Sequence, residues 1–333
     1  MSTDLSSFLP DGLAVRPPRL GDSGTPVLED RDAILALCRD AEVRAIGESD
    51  TTADEIDEMF TLPNTDLEHT LMVHDGDELV GFVWTECDAA SGESWVDVYV
   101  GPERTDVADA FVAFGTALAR EHSAAHPEIE QWSLRSGCFA TDAETSGALE
   151  RGGFERVRRF WRMRLDLEGY DAVAPVLPPG VEILDGFDPA NRRTTYEVQS
   201  AAFDDHWNHT MRPFDEWFGF FDQPYLDPTG WWLLTVDGEP AAVCILDDSR
   251  REISEGYVRS LGVLRDHRGQ GLAKLLLERA FAMYAERGLR GVQLGVDSTS
   301  PTGANHLYEG VGMRPHRVID AWALWLTAEV PAG

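Results

Sequence analysis

The sequence predicts an α/β protein made of two tandem domains, each a mixed central sheet flanked by helices. Three observations predict it. The 333 residues suit two domains of ordinary size. Strand and helix patterns alternate in the same order in both halves. A proline-rich stretch, "YDAVAPVLPPGVEI", separates the halves and puts the boundary near residues 170–180, dividing the chain into 1–172 and 173–333.

The second half is the easier to read. "WWLLTVDGEPAAVCILDD" has the form of a hairpin, with Asp237-Gly238 as the turn between two apolar runs. "GYVRSLGVL" is a strand that leads into a glycine-rich turn. From Leu272 to Arg287, apolar residues at 272, 275, 276, 280 and 283 keep helical spacing until Gly288 stops them. "GVQLGV" is the next strand, "PTGANHLYEGVGM" a short helix ending at glycine, and "RVIDAWALWL" a last strand.

The first half repeats this order. "HTLMVHDGDELVGFVWTE" is a hairpin around Asp75-Gly76, "SWVDVYVG" a strand, "DVADAFVAFGTALARE" a helix and "IEQWSLRSG" a strand. "GALERGGFERVRRFWRMRL" then lies over "NHLYEGVGMRPHRVIDAWALWL", with Gly153-Phe154 on Gly312-Met313 and Leu149 on Tyr308. Where the second copy has glycines, the first reads "GPERTDVADA". Glu103 and Asp106 there would repel an anion, so the first copy is expected to be a scaffold without chemistry.

Composition narrows the function. Net charge is −31, which excludes a nucleic-acid partner that would need a basic surface. The charge is uneven: residues 1–170 hold 35 acids and 14 bases, residues 171–333 hold 24 and 14. The less acidic second half is the one that holds the candidate anion site. No segment reaches the ~20 apolar residues of a membrane span, and the N-terminus lacks a basic start before an apolar run. Cys38, Cys87, Cys138 and Cys244 are far apart with no C-x-x-C, as expected of unpaired thiols in a reducing, cytoplasmic setting.

The glycine-rich turn, "RDHRGQGLAKLLLERAF" (265–281), is an anion-binding device in principle, because the first helical N–H groups lack partners and the helix dipole favours negative charge there. Its spelling fits neither nucleotide motif. Gly271 is followed by Leu272 and Ala273, not by the Lys-Ser/Thr of a Walker A loop, and Lys274 stands where a dinucleotide fingerprint needs its third glycine. What fits is R-x-x-G-x-A: Arg268, Gly271 and Ala273. This resembles the acyl-CoA pyrophosphate loop of the GNAT superfamily of N-acetyltransferases, and the element order resembles the GNAT core. The tandem layout is similar to that of the mycothiol synthases.

The resemblance implies a set of roles. Arg268, Gly269, Gln270, Gly271, Leu272 and Ala273 would cradle the pyrophosphate of acetyl-CoA, the cosubstrate. Backbone groups of Leu261, Gly262 and Val263 would pair with pantetheine, with Asn305 as a further coenzyme contact. Ser300 replaces an asparagine usual in relatives. Tyr308, at the family's L-Y position, would protonate the departing thiolate. Glu255 is the candidate base, ahead of Asp297, because the position most often acidic in relatives is Arg259 here.

The aromatic-rich run "FDDHWNHTMRPFDEWFGFFDQPYLDPTGWW" is expected to cover the acceptor side, with His206, Trp207 and Tyr225 as substrate contacts. His206 and His209 have i, i+3 spacing but no third ligand, so no metal is expected. The implied reaction is acetyl transfer from acetyl-CoA to a small-molecule primary amine by direct attack, in a monomer or homodimer. The rival reading is a non-catalytic acyl-CoA-binding regulator.

Overall fold

The computed structural model describes residues 3–204, 213–221, 226–299 and 303–327. By packing, the chain divides into two compact units that interleave in sequence: residues 1–160 with 318–333, and residues 161–317. The expected cut at 172/173 divides the repeated pattern. The units divide the packing.

The first unit contains β1 (Leu13–Arg16), α1 (Leu28–Ile46), α2 (Ala53–Thr61), β2 (Leu71–Asp75), β3 (Glu78–Asp88), β4 (Glu93–Val100), α3 (Thr105–Ala125), β5 (Gln131–Phe139), α4 (Ala143–Arg151) and the start of β6 (Glu155–Asp166). Its strands run in the order β1-β2-β3-β4-β5, and the end of β12 (Arg314–Thr327) completes the sheet beside β5. That last pairing is antiparallel from Ile319↔Phe139 to Thr327↔Gln131. Trp322 and Leu326 of β12 enter the core made with Phe111, Phe114 and Trp132. Helix α2 starts with a full capping box, in which Thr52 and Glu55 satisfy each other's backbone N–H groups.

The second unit contains the rest of β6, then β7 (Val181–Asp185), α5 (Arg192–Phe203), α6 (Phe214–Phe221), β8 (Trp231–Val236), β9 (Glu239–Asp247), β10 (Glu255–Val263), α7 (Leu272–Glu286), β11 (Gly291–Asp297) and α8 (Ala304–Gly310). The order is β6-β11-β10-β9-β8-β7. Period-2 alternation decides which helix meets which face. Trp232, Leu234, Cys244 and Leu246 pack under α7 with Leu276, Phe281 and Tyr308. On the opposite face Trp231 and Ile245 pack with Trp217 and Phe221 of α6, and Leu233 and Val243 with Val198 of α5.

The expected hairpins form, with a difference of one residue in the first. Asp237 (φ 51°) and Gly238 (φ 85°) make the β8/β9 turn, with Val236 opposite Glu239. In the first unit Asp75 pairs with Glu78, so the turn residues are Gly76 and Asp77. The repeat survives in backbone detail. Phe154 N–H donates to Leu149 O, and Met313 N–H donates to Tyr308 O, both at 3.0 Å, after glycines at positive φ (Gly153 83°, Gly312 95°). All four cysteines are free thiols, and burial pushes Cys138 up to about 12 and Cys87 to about 11. Among the described residues no helix is long and apolar enough to cross a membrane.

Candidate active site

The site is built at the C-terminal end of β10. From Tyr257↔Asp247 and Val258↔Leu246 the β9 register jumps to Ser260↔Ile245, so Arg259 is the extra residue of a β-bulge. The bulge reverses the facing of the residues after it. Gly256, before it, lies against the Tyr284 ring of α7, whereas Gly262, after it, lies against Ala202 and Phe203 of α5. On its other edge β10 pairs in parallel with β11 only from Glu255↔Gly291 to Tyr257↔Gln293. Beyond that point the strands separate, and among the described residues Leu261, Gly262 and Val263 have no ladder partner on the β11 side.

The glycine turn closes the far end of this seam. Gly269 (φ 78°) and Gly271 (φ 80°) both occupy the left-handed region, where a side chain is strained. A Cβ on either would meet nothing within 4 Å. The turn is therefore bare backbone beside open space. Gly271 is the N-cap of α7 and supplies no side-chain cap, leaving the first-turn N–H groups of Leu272, Ala273 and Lys274 available to an anion.

Arg268 does not point at that space as a free cation. Its Nε donates to Val263 O (3.1 Å) and its Nη2 to Ala202 O (3.2 Å), so it ties the turn to β10 and to the end of α5. Gln270 reaches back to Asp266 O at 3.5 Å. Asn305 donates to Ser298 O (3.0 Å), while its Oδ1 is sealed from solvent and accepts nothing among the described residues.

Tyr308, 8% exposed, packs in the core under α7. Burial pushes its phenol well above the usual tyrosine range, with Cys244 and Tyr257 adding smaller effects in the same direction. The hydroxyl is therefore held protonated at neutral pH.

Glu255 is 6% exposed and lies against the β6 guanidinium of Arg164. Nη2 donates to Oε1 at 2.8 Å, and Nε approaches both carboxylate oxygens at 3.1 and 3.2 Å. The candidate base is thus held in a largely buried ion pair with Arg164. Asp247, fully buried, is bound in the same way by Arg259. Asp297 accepts the N–H (2.8 Å) and hydroxyl (2.9 Å) of Thr299 in a local turn. Tyr257 and Gln293, which no sequence motif marks, stand where the seam opens. His206, Trp207, His209, Tyr225 and Ser300 lie outside the described residues. Among the described residues no three His, Cys, Asp or Glu side chains group as metal ligands.

The first unit shows what the same frame looks like without the device. β4 and β5 pair in parallel only from Glu93↔Ser133 to Trp95↔Arg135 and then separate likewise. No bulge interrupts β4 against β3. The turn before α3 has no glycine at the cap: Glu103 holds a positive φ of 58°, and Arg104 is spent on Asp75 and Asp106. Leu149 replaces the tyrosine.

Known proteins share the sequence pattern and the fold of this chain. Residues 192–313 match the model of the acetyltransferase (GNAT) family. The mycothiol acetyltransferase of Thermobispora bispora is 30% identical over 251 residues, covering 73% of this chain and 79% of that protein. That of Nocardia farcinica is 27% identical over 270 residues, covering 77% and 82%. A GCN5-related N-acetyltransferase from Sphaerobacter thermophilus superposes with a TM-score of 0.78 at 25% identity, covering 96% of this chain and 97% of its own. A tandem GNAT protein from the clavulanic acid biosynthesis pathway shares the fold, with a TM-score of 0.70 at 17% identity over 94% and 98%. The chain belongs to the GNAT family of N-acetyltransferases, in its tandem form, and is an acyltransferase. The family uses acetyl-CoA as cosubstrate.

Proposed function

We propose that the second unit moves the acetyl group of acetyl-CoA onto a primary amine of a small molecule by direct attack, without a covalent enzyme intermediate. The observation that supports it most is one junction: a bulge at Arg259, a seam opening beyond Tyr257 and Gln293, and a bare glycine turn at the seam's end. In this reading the N–H groups around Gly269–Lys274 take the pyrophosphate. A helix terminus supplies only ~0.3–2 kcal/mol per anion, whereas micromolar affinity needs about 8 kcal/mol. The backbone of Leu261–Val263 on its β11 side and the Asn305 Oδ1, which has no partner among the described residues, supply further contacts for pantetheine.

The thioester sits in the seam and the amine reaches it from the α5/α6 face, the side that His206, Trp207 and Tyr225 are proposed to serve. Tyr308 lies on the α7 side and donates its proton to the departing thiolate. In water that transfer is uphill, since a phenol near pKa 10 is a weaker acid than a thiol near 8.5. Burial penalises the thiolate as well, so the proton moves as the charge forms. With Glu255 held by Arg164, the amine is proposed to be taken from solution in its neutral form, so the rate rises with pH toward the pKa of the amine. Relatives named mycothiol acetyltransferase make a mycothiol-type acceptor the first to try.

Release of free coenzyme thiol from acetyl-CoA, measured over an amine panel, tests the reaction, and Tyr308→Phe tests the role. Loss of the general acid should lower kcat roughly 10²–10⁴-fold with acetyl-CoA affinity nearly unchanged. The ring keeps its packing, so stability should shift by no more than about 1 kcal/mol. Turnover within a few-fold of the parent would take Tyr308 out of the mechanism.

A further inference from the structure

Gln293 is an amide set among the glycines and aliphatic residues of β11, which ends at Asp297, and it is 2% exposed. Its Oε1 is sealed from solvent and accepts no hydrogen bond among the described residues. Buried polar atoms in that state are uncommon in folded proteins, so the position asks for a reason.

Its place in the sheet supplies one. Val292, Leu294 and Val296 turn into the core under α7, so Gly291, Gln293 and Gly295 turn to the opposite face. On that face Gly291 abuts the Glu255–Arg164 pair, and a Cβ on Gly295 would lie 3.2 Å from the Tyr257 hydroxyl. Gln293 pairs with Tyr257 in the last parallel rung before β10 and β11 separate. The amide therefore stands at the vertex of the seam, on the side from which the amine is proposed to arrive.

The first unit provides an internal control. By the same register, Arg135 occupies the corresponding rung beside Trp95. There the side chain is engaged locally: Arg135 holds Glu93 at 2.8 Å and also donates to Ser133. In the second unit the matching carboxylate, Glu255, takes its arginine from β6 instead, and the Gln293 oxygen is left without a partner among the described residues. The copy that carries the glycine turn and the tyrosine is the one whose vertex acceptor is unpartnered.

We infer that Gln293 sets acceptor specificity: its Oε1 accepts a hydrogen bond from a hydroxyl or N–H next to the reacting nitrogen. The substrate class is then amines with a neighbouring donor, such as amino alcohols, in preference to plain alkylamines. This rests on the acetyl-transfer reading above. A site that places an acceptor atom for a substrate donor discriminates strongly against the analogue lacking it, because the buried atom is then left unpaired.

The test compares kcat/KM for two matched pairs, ethanolamine with propylamine and trans-2-aminocyclohexanol with cyclohexylamine, in the parent and in Gln293→Leu. The parent should favour the hydroxylated member at least tenfold in one pair. The variant should bring that ratio close to one, chiefly by losing rate on the hydroxylated amine, with acetyl-CoA affinity unchanged. Its Tm should stay level or rise, since leucine removes an unpaired polar atom from a buried site. An unchanged ratio in the variant overturns the inference alone. So does a fall in Tm of several degrees with normal turnover per folded molecule, which marks a structural amide. Failure of the parent to acetylate any amine overturns the proposed function and this inference with it.

Discussion

At the scale of single residues, β4 Asp97 and β10 Arg259 occupy the same register position in the two units. Asp97 accepts the Gly137 N–H at 3.2 Å, but burial, with a smaller push from Glu86, raises its carboxyl to about 7. Cys38, Tyr99 and Glu42 share that neighbourhood, and none of them brings a positive charge. Linkage fixes the sign. The native state holds the proton more tightly than the unfolded chain, whose aspartates titrate near 3.9, so the contribution is fully present below pH ~4 and is lost as pH rises to about 7. Asp97→Asn keeps an acceptor for Gly137 without the charge. It should stabilise the protein by up to ~4 kcal/mol at pH 8 and by little at pH 4, a rise of about three pKa units being worth about 1.4 kcal/mol each. Thermal melts of both proteins at the two pH values check this, and an equal gain at both would overturn it.

At the scale of elements, the glycine turn and α7 act together, and this is where the sequence was most legible. Gly269 and Gly271 are readable because positive φ narrows the choice of residue almost to glycine, and Tyr308 because it closes a short helix at a fixed distance from Gly312. The partners of Glu255 and Asp247 were not readable. Arg164 reaches Glu255 across 91 residues of chain, and the Arg259–Asp247 pair depends on a bulge that no local pattern announces. Gln293 was missed because one amide in "GVQLGV" does not disturb the strand pattern, and only the three-dimensional surroundings of its oxygen show that it has no partner among the described residues. Gly271→Asp tests the element directly. It combines a strained φ with a carboxylate in the proposed phosphate space, where no atom lies within 4 Å of a new Cβ. Acetyl-CoA affinity measured by calorimetry should fall at least 100-fold. The φ strain should cost only ~1–2 kcal/mol, so the fold should persist. Affinity within a few-fold of the parent would remove the turn from coenzyme binding.

At the scale of the whole molecule, the repeat in the sequence and the packing of the chain divide at different places, and that difference has a consequence for truncation. "RVIDAWALWL" announces a strand but not whose sheet it completes, and most of β12 belongs to the first unit through its pairing with β5. Conversely, Met163 and Leu167 are buried in the core of the second unit, and Arg164 neutralises its Glu255. A fragment 173–333 therefore loses two core side chains, at a scale of about 2–5 kcal/mol each. It also leaves Glu255 as an unpaired buried carboxylate, worth about 3–5 kcal/mol. Those losses together match the ~5–15 kcal/mol by which a domain is stable at all. The fragment further carries a β12 edge with no β5 to cover it, a template for aggregation. Fragment 161–317 keeps the second unit whole and leaves out most of β12. Expressed side by side, 173–333 should be insoluble or unfolded, and 161–317 should give the larger soluble fraction and the more cooperative melt. A soluble, monomeric 173–333 that melts within a few degrees of the full chain and binds acetyl-CoA would show that the second copy folds on its own and that the interleaving carries no stability.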